Sequence, residues 1–83
     1  MITVLAEANW GISVIEDRET GEVSLQCICG QVGLYPRRAV LTKEEVEAFR
    51  QGHLDIDQAV SDICKETDRF ANRLVPPISL DQL

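Results

Sequence analysis

The hydrophobic period changes once along the chain, and that change limits the possible folds more than any other feature of the sequence. From Ile2 to about Leu41 the apolar residues alternate or cluster as in strands, whereas from Thr42 to Leu74 they recur at three- and four-residue intervals. The pattern predicts a β half followed by an α half. With 83 residues the chain is one domain at most, because splitting it would leave two starved cores.

Ile2, Val4, Ala6 and Ala8 alternate with Thr3, Leu5 and Glu7 and predict a first strand. Ile12–Glu16 reads as a second strand and Glu22–Cys29 as a third, with Val23, Leu25, Cys27 and Cys29 on one face and Ser24, Gln26 and Ile28 opposite. Between them, Asp17-Arg18-Glu19-Thr20-Gly21 is short, polar and ends in glycine, which suits a type I turn followed by a left-handed Gly21. Gly30 and Gly33 bracket a second reversal or bulge before a fourth strand through Leu34 and Tyr35. Pro36 cannot donate to a ladder, so this strand is expected at a sheet edge, or broken there before resuming at Ala39-Val40-Leu41.

Thr42-Lys43-Glu44-Glu45 has the form of a capping box, with Val46 and Phe49 giving an apolar stripe and Gly52 a stop. A second helix, capped by Asp55 or its neighbour, is expected to carry Ile56, Ala59, Val60, Ile63, Thr67, Phe70 and Leu74 along one face until Pro76-Pro77 ends it. Each element has an apolar side to bury. The fold class expected is therefore α+β, a two-layer sandwich of a three- or four-stranded antiparallel sheet and two helices, with an extended tail over 76–83. Val46, Phe49, Val60, Ile63 and Phe70 are expected to be buried against Val14, Val23 and Leu25.

Composition narrows function mostly by exclusion. A formal charge of -6 and a pI near 4.6 repel phosphate backbones and anionic lipid, so neither nucleic acid nor membrane is an expected direct partner. The start lacks a basic segment before its apolar residues, and no apolar run reaches the roughly 18 residues of a membrane span. Three cysteines are an odd number at low density, unlike a secreted disulfide scaffold. A cytoplasmic protein with reduced thiols is expected.

Motifs that could carry chemistry fail on spacing. Cys27 and Cys29 face the same way on a strand, and with Cys64 and His53 they would make a Cys₃His set. One intervening residue is too few for a zinc knuckle, and free cysteine behaves as a small buried hydrophobe, so core packing is expected and no metal. His53, beside Gly52, suits the carbonyl end of the first helix better than a triad, since no serine lies in a nucleophile-elbow sequence. Glu44, Glu45 and Glu47 complement a helix dipole, and Gly30-Gln31-Val32-Gly33 lacks the residues of a phosphate loop. Arg69 and Arg73, four apart near a helix end, read as solvated. Neither an enzyme nor a cofactor is expected.

These exclusions favour a small acidic protein-interaction module, such as an inhibitor or immunity-type factor that masks a basic surface of a partner protein. The acidic candidates are Asp17, Glu19 and Glu22 at the hairpin tip and Asp55, Asp57 and Asp62 on the second helix. Trp10 and Tyr35, near strand ends, are the aromatic anchor candidates. The alternative is a self-associating structural or accessory protein, a homodimer paired through the Tyr35 edge strand.

Overall fold

A computed structural model of the chain describes residues 2–8, 11–30 and 33–78. The order is β1 (Ile2–Ala8), β2 (Ile12–Asp17), β3 (Glu22–Cys29), β4 (Tyr35–Val40), α1 (Lys43–Arg50), α2 (Ile56–Cys64) and β5 (Leu74–Val75). The five strands form one antiparallel sheet in the order β1-β2-β3-β4-β5. This is the expected α+β two-layer sandwich with one strand more than the period suggested.

The β2–β3 hairpin closes as its residues dictate. Gly21 takes φ 77° and donates its amide to the Asp17 carbonyl at 2.7 Å, while the Asp17 carboxylate accepts from the Glu19 amide at 2.9 Å. β4 runs unbroken through Pro36, which pairs in register with Ile28. β5 covers only Arg38 and Ala39 of β4, so Pro36 stands where β4 is still an edge.

Strand alternation divides the sheet into two faces. One carries Val14, Val23, Leu25, Cys27, Cys29 and Ala39 and packs against Ala59, Ile63 and Phe70, the centre of the core. The other holds Ile15, Ser24 and Gln26, all buried. There the tail after β5 crosses the sheet. Gln26 donates Nε2–H to the Ile78 carbonyl at 2.9 Å and accepts the Ile78 amide at Oε1 at 2.8 Å, while Arg38 Nε donates to the Pro76 carbonyl at 2.9 Å. A single glutamine thus satisfies both backbone groups of Ile78 as a paired strand would. Residues 79–83 lie outside the described part.

Two expectations are corrected. The second helix does not continue to Leu74 but ends at Cys64. Glu66 adopts φ 53°, its amide donates to the Ile63 carbonyl and the Thr67 amide donates to the Asp62 carbonyl, which is a Schellman termination without its usual glycine. Consecutive turns then carry Phe70 into the core, and Leu74 joins the sheet. The helices are also unequal. Ala59 and Ile63 of α2 are buried, but no residue of α1 is, and Val46, Phe49 and Val60 are only partly covered. Burial of Ile63 and Phe70 among Val14, Val23 and Leu25 is as expected.

Candidate functional site

Of the acidic candidates, Glu19, Glu22, Asp55 and Asp57 are exposed, whereas Asp17 and Asp62 are half-buried and held by the fold. At the hairpin tip Glu19 and Glu22 are exposed, whereas Asp17 is half-buried and shapes the turn. Glu22 lies 3.9 Å from Arg38. At the start of α2, Asp55 caps the helix by accepting the Gln58 amide at 3.0 Å, and Asp57 is exposed in the first turn with no ion pair among the described residues. Asp62 belongs to the last turns of α2. There it is half-buried and held by Gln58 Nε2 and Arg69 Nη1, each at 3.1 Å.

A groove of about 760 Å³ lies between the hairpin and α1, lined among others by Glu22, Val23, Leu41, Lys43, Glu47 and His53. It reaches from the hairpin tip to within two residues of Asp55, so its two ends approach the two acidic patches. α1 is the element that makes this groove. Its stripe is too narrow to seat it fully on the core, and its charged flank remains beside the hairpin. From the sequence, Glu44 and Glu47 read only as complements of the helix dipole; their place on the groove depends on where the hairpin folds back.

Arg69 and Arg73 are not solvated cations. Both donate to Glu45, Arg69 at 2.8 Å and Arg73 at 2.5 Å, and their guanidinium groups lie 4.8 and 4.5 Å from the Phe70 ring centroid. Glu45 also completes the α1 capping box with Thr42. Burial alone would raise the Glu45 pKa, but the hydrogen bonds from Arg73, the Thr42 amide and Arg69, with the Arg73 charge, bring it down to about 2. The remaining arginines are engaged as well: Arg18 and Arg50 with Glu16, Arg37 with Glu66, Arg38 with Glu22. All six arginines therefore pair with acids of the same chain. Lys43 and Lys65, both exposed, are the cations without an ion pair among the described residues.

Tyr35 is 40% exposed at the open end of β4, next to Leu34 at 59%, with the Arg37 guanidinium 5.2 Å over its ring. Trp10 lies outside the described residues.

The cysteines depart from the expectation of three packed thiols. Cys29 and Cys64 form a disulfide, with Cα atoms 5.5 Å apart, and Cys27 is free and buried. A separation of 35 residues concealed the pairing, because only the seating of α2 on β3 brings the end of one to the end of the other. Cys27 Sγ lies 3.8 Å from Cys29 Sγ and 3.9 Å from Cys64 Sγ. Burial raises the Cys27 thiol pKa and the Arg37 charge pulls it partly back. His53 is not in this cluster. No helix among the described residues is long and apolar enough to cross a membrane. Comparison of the chain with protein-family models, with curated proteins and with solved structures gives no match.

Proposed function

We propose that the protein is a small acidic interaction module, of inhibitor or immunity type, that masks a basic surface of a partner protein rather than acting as an enzyme. One observation carries this reading. Every arginine is already paired within the chain, so the excess negative charge is left at the surface, on the exposed flank of α1 and at the start of α2. A cationic surface from outside is the natural complement, and nucleic acid and anionic membranes are not. The groove between hairpin and α1 gives that charge a concave surface, with Val23 and Leu41 beneath it. We place the module in the cytoplasm, where thiol reductants would open the Cys29–Cys64 bond through the half-buried Cys64.

The test is association with a captured basic partner at low and high salt. Asp57→Lys combined with Glu19→Lys is expected to leave folding intact and slow association at low ionic strength, because rim charges act through long-range steering. The difference should fade as salt approaches about 1 M, where the Debye length falls to roughly 3 Å. An acidic partner, or an association rate that charge reversal leaves unchanged at low salt, would refute the mechanism.

The second reading is a homodimer through β4. It is favoured by one feature: β5 stops at Arg38, leaving the outer edge of Tyr35–Arg37 beside exposed Leu34 and Tyr35. Light scattering distinguishes the two, since a salt-insensitive dimer without partners supports only this one.

A further inference from the structure

Two ligand-type side chains from β3 and one from α2 converge on a single point. The Sγ atoms of Cys27, Cys29 and Cys64 all lie within 4.8 Å of one another. Cys27 is nearly equidistant from the two bonded sulfurs, at 3.8 and 3.9 Å. Two chemistries compete for such a triad. In thiol–disulfide exchange the attacking sulfur must approach one sulfur along the extension of the bond to the other. Equal distances instead put Cys27 broadside to the bond, on its perpendicular bisector, where neither sulfur can be displaced without rebuilding the site. Three donors around a common centre, by contrast, are what a shared cation requires. With metal–sulfur distances of about 2.3 Å, two thiolates on a tetrahedral ion stand roughly 3.8 Å apart, which is the spacing Cys27 already keeps from both partners.

We propose that, once the Cys29–Cys64 bond is reduced, Cys27, Cys29 and Cys64 form a thiolate site for one zinc-type divalent cation, and that disulfide and metal are mutually exclusive occupants of the site. The donors stand on regular elements. Cys27 and Cys29 are held in the β3–β4 ladder, and Cys64 is the last residue of α2, which is seated through buried Ala59 and Ile63. The surroundings are dry on the β3 side, and half-buried Cys64 gives the route from solvent. Arg37 is the cross-strand partner of Cys27 and so lies on the same face. Its Nη1 is buried without a hydrogen-bond acceptor, although Glu66 Oε1 lies 2.5 Å away as an unaligned ion pair. Three thiolates around a divalent ion leave one net negative charge, which Arg37 would balance. No further His, Cys, Asp or Glu of the described residues joins the cluster, so the fourth position falls to water or an external thiol.

The chemistry balances in two steps. A phosphine and water reduce the disulfide to two thiols, the phosphine becoming its oxide. The three thiols then bind the cation and release three protons to the buffer.

The whole chain, reduced with a phosphine under nitrogen, would be titrated with Cd²⁺ as the probe, following thiolate-to-metal charge-transfer absorption and circular dichroism. One equivalent is expected to saturate the reduced protein, with none bound by the oxidised protein. Cys27→Ser, which keeps the disulfide pair, is expected to bind more than about tenfold more weakly, and His53→Ala to bind as the parent does. If reduction unfolds the chain, restoration of the fold by one equivalent of Cd²⁺ supports the site. Failure of the metal to restore it, equal binding by Cys27→Ser, or binding by the oxidised protein would overturn the proposal.

Discussion

Glu45 is asked to do two things at once: its backbone and carboxylate close the capping box with Thr42, and the same carboxylate gathers Arg69 and Arg73. The side chain is only 12% exposed, so these contacts are poorly screened. Its pKa in the fold is near 2 against an ordinary 4.5. A folded pKa below the unfolded one stabilises the ionised form, so the contribution is complete above about pH 4.5 and disappears as the pH falls toward 2. It amounts to at most about 3 kcal/mol. Glu45→Gln is therefore expected to lower the urea midpoint clearly at pH 7 and hardly at all at pH 2. Equal losses at both would mean that the two arginines do not depend on the charge. The capping half of Glu45 was legible in the sequence from Thr42 alone. Its arginine half was not, because Arg69 and Arg73 reach it only through turns that no local signal announced.

Helix α2 stops where a non-glycine residue enters the left-handed region. Holding Glu66 at φ 53° costs roughly 1 to 2 kcal/mol, and glycine gives back about 0.4 to 1 kcal/mol of that through a freer unfolded chain. The Glu66–Arg37 pair lost in the exchange is more than half exposed on the Glu66 side and contributes little. Glu66→Gly is thus expected to raise stability by up to about 1 kcal/mol, read as an increase in the denaturant midpoint with unchanged slope. A decrease would show that the ion pair outweighs the strain. The helices can be ranked in the same measurement. Phe70→Ala is expected to cost about 3 to 5 kcal/mol, since Phe70 is wholly buried. Phe49→Ala on the half-seated α1 should cost no more than about 2 kcal/mol. Equal losses would place α1 in the core with α2.

At the scale of the whole molecule, the sheet is closed on one face by α2 and the Phe70 turns and crossed on the other by the Gln26-bound tail, and one covalent link ties β3 to α2. That link spans 35 residues, for which loop closure in the unfolded chain predicts roughly 3 to 4 kcal/mol. Reduction in the presence of a chelator is expected to lower stability by about that amount, measured by urea titration of both forms. A drop below about 1 kcal/mol, the level of surface changes, would mean that the packing of Ile63 and Ala59 holds the helix without it.

Local chemistry by itself determined the parts of this protein whose causes lie within a few residues. The period-two alternation sets β1 to β3, Gly21 after Asp17 sets the hairpin, and Thr42 with Glu45 sets the start of α1. It also set the outward acidity, because exposed turn tips and first helical turns keep their charge wherever they are placed. Only the tertiary structure decided the rest. Ile63 and Phe70 keep helical spacing, but their burial is achieved by a helix that ends at Cys64 and a chain of turns, an outcome that periodicity cannot tell from one longer helix. The pairing of Cys29 with Cys64, the arginines gathered on Glu45 and the groove beside α1 each join segments far apart in sequence. Their physical basis is the geometry of packing, which no short stretch of the chain contains.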